Sequence, residues 1–198
     1  MRVTSHSDPD TLFAALDAEL QRRSTALTEI CVIGGSALNA AGFINRPTKD
    51  VDVLAVGSRR GGRLLLEKSR PLPAVLIQAS AAVAEQFQIE PDWLNAGPAD
   101  LMDHGLPVGF ETRLVPRTYG PALTVHFAGR LDQICFKLYA AADVGGRHLV
   151  DLQALGPTEE EMRFALEWVR QQDDSEGFRA QLAELFDYLG MSHVIAER

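Results

Sequence analysis

Glu29-Ile30-Cys31-Val32-Ile33-Gly34-Gly35-Ser36-Ala37-Leu38-Asn39-Ala40-Ala41-Gly42, and then Arg46-Pro47-Thr48-Lys49-Asp50-Val51-Asp52-Val53-Leu54-Ala55-Val56, decide how this chain folds. Residues 29–33 are a short apolar run, rich in β-branched side chains, that stops at a glycine pair; this reads as a strand ending in a tight turn. From Ser36 to Ala41 helix-forming residues take over until Gly42, so the unit is strand, glycine turn, helix. Residues 51–56 are a second strand. Its alternation puts Asp50 and Asp52 on one face and Val51 and Val53 on the other.

This pairing of features carries chemistry. A glycine pair lets the backbone approach a phosphate closely, and the helix that follows offers free N–H groups and a positive dipole end, with the Ser36 hydroxyl as a further donor. Taken alone, the same glycines fit a turn that needs them only for geometry. Two carboxylates two residues apart on a strand lie about 7 Å apart and point the same way, so they suit a hard cation such as Mg²⁺ shared with a nucleotide's phosphates. Like charges on one strand face are unfavourable unless they are solvated or bound to a cation. An exposed strand end facing water is the plain alternative.

Working outward, Asp8-Pro9 ahead of Leu12, Phe13, Leu16 and Leu20 predicts an amphipathic opening helix with proline in its first turn. Residues 73–87 predict a helix, 88–95 a short strand, and 112–127 a hairpin turning at Tyr119-Gly120-Pro121. A helix is predicted over 131–142 with Leu131, Ile134, Cys135 and Leu138 on one stripe, and Thr158-Glu159-Glu160-Glu161 is a capping box ahead of another. Asp173-Asp174-Ser175-Glu176-Gly177 breaks the helical tail in two. The expectation is an α/β (α+β) fold, with a mixed central sheet flanked by helices. It occupies residues 1–157, and a helical segment over 158–198 packs on it.

With 198 residues, 46% hydrophobic and 23% charged, the chain has enough apolar side chains for a sizeable core. Its net charge of −8 disfavours coating nucleic acid by electrostatics alone. Arg59-Arg60-Gly61-Gly62-Arg63 is a local basic patch that fits either a phosphate contact or a solvated turn. No apolar run is long enough to span a bilayer, and no signal-type stretch follows the N-terminal residues, so the expected setting is cytoplasmic, away from membranes. Cys31 and Cys135 read as reduced core residues, and His104, His126 and Cys135 do not fall at zinc-ligand spacing. His148 reads as structural.

The run Gly34-Gly35-Ser36-Ala37-Leu38 with Arg46, Thr48, Asp50 and Asp52 resembles the signature of the polymerase-β-like nucleotidyltransferase superfamily, in particular its small bacterial branch related to abortive-infection and toxin-antitoxin nucleotidyltransferases. It is similar to that branch in having Gly-Gly-Ser where others have Gly-Ser, and in having Thr48-Lys49 ahead of Asp50 where many have Ser. The clear resemblance spans residues 30–56 and continues more weakly to 155. It implies the nucleotidyltransferase fold, with Gly34, Gly35 and Ser36 on the triphosphate and Asp50 and Asp52 as ligands of Mg²⁺ (or Mn²⁺). The implied reaction moves a nucleoside monophosphate from an NTP to an acceptor, which is RNA, protein or a small molecule, and a cognate antitoxin is an implied partner. The alternative is a catalytically silent module of the same fold that binds an NTP or a partner.

The superfamily's site is often completed by a third carboxylate on a later strand. Asp92 is the candidate, with Glu90 behind it, although Pro91 equally fits an edge or loop position. Phe136-Lys137-Leu138-Tyr139 with Arg147-His148-Leu149-Val150-Asp151-Leu152 is similar to the later segment of the abortive-infection branch, where a helical lysine and a downstream aspartate belong to the site. Lys137, one of three lysines, either reaches triphosphate oxygens or snorkels over the core. In the first reading Lys137→Ala is expected to change stability little, because no buried partner is left unpaired. Asp151 either positions Arg147 or Lys137, or caps the helix that follows.

Overall fold

The protein is described by a computed structural model covering residues 8–23, 26–46, 48 and 50–196. Pro47 and Lys49 of the connection into the second strand lie outside the described residues, as do residues 1–7. Two compact units emerge, and neither is continuous in sequence: the first runs through Met102 and resumes at Leu114–Ala128, while the second takes Asp103–Arg113 and the chain from Gly129 onward. The sequence-based boundary at 157/158 therefore does not coincide with the division, because two helices ahead of it group with the C-terminal ones.

The first unit is built on a mixed sheet. Its strands are β1 (Thr28–Ile33), β2 (Val51–Arg60), β3 (Arg63–Glu67), β4 (Leu94–Asn95), β5 (Val115–Thr118) and β6 (Leu123–Phe127). The order is β3-β2-β1-β6-β5, with β4 added beside β2. β1 runs antiparallel to β2 and parallel to β6, so it lies at the centre of the sheet. β2 divides one edge between two neighbours: β4 pairs with it at Val51 and Asp52, and β3 from Val56 to Arg60. The helices α1 (Pro9–Arg22) and α3 (Ala74–Phe87) cover one face, burying Phe13, Leu16, Leu20, Leu76 and Val83 against Ile30, Val32, Val51, Val53, Val125 and Phe127. Each fully buried side chain of this size contributes about 1.5–3 kcal/mol.

Two local features differ from the sequence reading. β2 runs on through Arg59 and Arg60 and turns at Gly61 and Gly62, both at positive φ, so the basic patch is the end of a two-residue hairpin. The strand expected over 88–95 shrinks to Leu94–Asn95: Gln88 closes α3 in the left-handed conformation, and the chain then turns at Pro91 and Asp92. Trp93 anchors that turn, its indole N–H donating to the Ser80 carbonyl at 2.9 Å.

The second unit is helical. α4 (Arg130–Asp143) contacts α5 (Arg147–Leu155), α6 (Glu159–Gln172) and α7 (Glu176–Tyr188), and α8 (Ser192–Ala196) packs on α6 and α7. α4 is buried continuously from Asp132 to Leu138, so its polar residues must find partners. Asp132, fully buried, accepts two-pronged hydrogen bonds from Arg113 at 2.6–3.2 Å. Burial pushes its carboxyl upward, with the guanidinium opposing. Phe136 and Trp168 meet edge to face with centroids 5.3 Å apart, and the Thr158–Glu161 capping box forms as read from sequence. Among the described residues no helix is long and apolar enough to cross a membrane.

Candidate functional site

The antiparallel register places Ile33, the last residue of β1, opposite Asp52. The glycine turn thus begins beside the second carboxylate, and a bulge at Leu54 shifts the register by one residue between Val32 and Cys31. Residues opposite one another share a sheet face, so Asp52 lies on the face of Ile33 and Cys31, away from α1 and α3. Val51 and Val53 are buried in the core, while Asp50 and Asp52 are half-buried, which matches the alternation expected of them.

The turn is tighter than the sequence suggested. The helix α2 (Gly34–Ala40) starts at the first glycine, not at Ser36, so both glycines belong to its first turn. Gly34 has φ +75, and a β-carbon there would lie 2.5 Å from Asp52 Oδ2. At Gly35 a β-carbon would lie 2.8 Å from the Thr48 methyl. The bare Cα atoms are therefore required by contacts within the protein: the turn is pressed against Asp52 on one side and Thr48 on the other. Ser36 is buried, and its hydroxyl donates to the Asp50 carbonyl at 2.9 Å with Thr48 Oγ1 at 3.3 Å. Asn39 closes the loop by donating to the Arg46 carbonyl at 2.7 Å. Gly34, Gly35, Ser36, Thr48, Asp50 and Asp52 thus form one interlocked unit.

Asp92 is exposed in the turn ahead of β4. Among the described residues no three His, Cys, Asp or Glu side chains assemble as a metal-binding group, so Asp92 does not join Asp50 and Asp52 in such a set. In the parallel pairing of β4 with β2, Asn95 stands opposite Asp52. Its Nδ2 donates to Asp52 Oδ1 at 3.4 Å and to the Val51 carbonyl at 3.5 Å, while its Oδ1 accepts the Gly97 N–H at 2.8 Å. Asn95 carries an amide and not a carboxylate, so it is not among the residues that the sequence pattern singles out. The available signal was the turn-forming order Asn95-Ala96-Gly97-Pro98 after an apolar pair.

Lys137 lies within the helical unit, 5% exposed, with its Nζ 2.7 Å from Asp151 Oδ2. Asp151 is 1% exposed and falls inside α5, so of the two roles open to it the structure has the pairing with Lys137 and not a helix cap. A second buried cluster went unread in the sequence: Glu29 Oε2 lies 2.6 Å from His126 Nε2, and Arg59 grips the same carboxylate at 2.7 and 3.0 Å. Burial pushes the Glu29 carboxyl upward, but the Arg59 and His126 hydrogen bonds outweigh it and hold the group below the usual glutamate value. Both cysteines are buried thiols, and burial shifts Cys135 further toward its protonated form.

A pair of carboxylates, with no three-acid group assembled among the described residues, suits a hard cation whose remaining ligands are phosphate oxygens and water. Comparison of the chain with protein families, with curated proteins and with solved structures finds no match.

Proposed function

We propose that this chain is a metal-dependent nucleotidyltransferase of the polymerase-β-like superfamily, moving a nucleoside monophosphate from an NTP to an acceptor. The observation that supports this reading is the interlocking of glycine turn and acidic pair: the Ile33–Asp52 register, the Gly34 Cα against Asp52 and the Ser36 hydroxyl on the Asp50 carbonyl. Asp50 and Asp52 are the residues to hold Mg²⁺ or Mn²⁺, which when bound with an NTP neutralises charge developing on the attacking and leaving oxygens. Ser36 fixes the backbone that presents Asp50. Gly34 lets the turn lie close enough for its backbone and the carboxylates to address the same phosphates.

Incubation with each α-labelled NTP, Mg²⁺ and total cellular RNA or lysate tests the reading. Label is expected in one acceptor class, and Asp50→Ala or Asp52→Ala should lower transfer by about 100-fold or more while the melting curve stays near wild type. Wild-type transfer by both variants at saturating Mg²⁺ would overturn it. A second reading, an NTP-binding module without turnover, draws on the neutral Asn95 beside Asp52 and the lack of a three-carboxylate group among the described residues. Metal-dependent NTP binding by calorimetry with no transfer to any acceptor favours it.

A further inference from the structure

The side chain next to Asp52 on the neighbouring strand is an amide, and its surroundings fix which way it faces. Gly97 offers an N–H donor at 2.8 Å, so the oxygen of Asn95 must turn toward Gly97 and its NH₂ toward the strand. There it meets the Val51 carbonyl and Asp52 Oδ1, both acceptors. The ladder bond from the Val51 N–H to the Trp93 carbonyl holds β4 in place. Asp52 Oδ2 points instead at the bare Cα of Gly34. The two carboxylate oxygens therefore have different neighbours: one is taken by an amide donor, the other is directed at the turn.

We propose that Asn95 is a positioning residue for Asp52, orienting its carboxylate toward the Gly34 turn. The proposal rests on the reading of Asp50 and Asp52 as cation ligands. A donor against a ligating carboxylate locks its rotamer, and loss of such an outer partner costs about 10- to 100-fold in metal affinity. Being neutral, Asn95 also spares the metal-free protein a third negative charge beside Asp50 and Asp52.

The test uses the full chain and Mn²⁺ as probe, with free Mn²⁺ followed by electron paramagnetic resonance and unfolding by thermal melts. Asn95→Ala is expected to weaken Mn²⁺ binding at least about 10-fold. Asn95→Asp keeps an oxygen for the Gly97 N–H and exchanges only the donor for an acceptor, so it preserves the turn. It should melt lower than wild type without metal, bind Mn²⁺ at least as tightly as wild type, and gain more thermal stability from added Mn²⁺. A merely structural role would leave Mn²⁺ affinity alike in both variants. If Asn95→Ala and Asn95→Asp both bind Mn²⁺ as wild type does while Asp52→Ala loses it, the positioning role is overturned and the metal site stands. If Asp52→Ala binds Mn²⁺ no differently from wild type, the metal site itself fails and the role of Asn95 falls with it.

Discussion

At the scale of single residues, Lys137 changes meaning most between sequence and structure. Read from the sequence, its truncation leaves no buried partner unpaired; in the fold it leaves Asp151, 1% exposed, without its ammonium. Breaking a buried pair from one side costs about 3–5 kcal/mol, so Lys137→Ala should lower the urea midpoint strongly, and Lys137→Met with Asp151→Leu should recover much of the loss. A small effect of the single variant, or no recovery in the double, would show that the pair is not coupled. Gly35 is similar. Its missing β-carbon is excluded by the Thr48 methyl, so weakened NTP binding by Gly35→Val would report the turn as much as any phosphate. Gly35→Ala should cost about 1–3 kcal/mol, and adding Thr48→Ser, which removes the methyl and keeps the hydroxyl, should return part of it. Equal stability of Gly35→Ala with and without Thr48→Ser would locate the strain elsewhere.

At the scale of elements, what could be read in the sequence was whatever a local period or cap encodes. The apolar spacing of α1, the β-branched run of β1, the start of β2 and the Thr158 capping box all follow from neighbours within a turn or two. The clustering of the candidate site's residues was legible for the same reason, because Gly34 to Asp52 are close in the chain. β4 was not, since two residues have no periodicity, and Asn95 was lost with it. Nor was the parallel pairing of β1 with β6, which brings Glu29 and His126 together, or the bulge that lets Arg59 reach the same face. That cluster ties three adjacent strands and gives a pH signature. Against the upward push of burial, the Arg59 and His126 hydrogen bonds hold the Glu29 carboxyl below the ordinary glutamate range in the folded state. Its contribution is therefore full at pH values well above the ordinary glutamate range and lost as pH falls through the lower folded value. Glu29→Gln should cost about 1.5–3 kcal/mol at pH 7 and progressively less in acid. Parallel stability curves for wild type and variant between pH 7 and pH 3 would remove the linkage.

At the scale of the whole molecule, the chain leaves its sheet unit after Met102, gives Asp103–Arg113 to the helical unit, returns for β5 and β6, and leaves again at Gly129. The segment 103–113 matters to the helices: Arg113 neutralises the fully buried Asp132, and the Gly105 carbonyl accepts the Trp168 indole N–H at 2.9 Å. A fragment beginning at Gly129 lacks both, and is expected to show helical circular dichroism without a cooperative melt, whereas adding 103–113 as a tethered peptide should restore the transition. A sharp melt from the bare fragment would show that the helices need neither contact. The same interleaving sets an order on synthesis. β1 lies between β2 and β6, so the sheet waits for residue 127 to leave the ribosome, and by then the loop that helps build the helical unit has already been made. Arg113 is thus made before the helix that carries its partner Asp132.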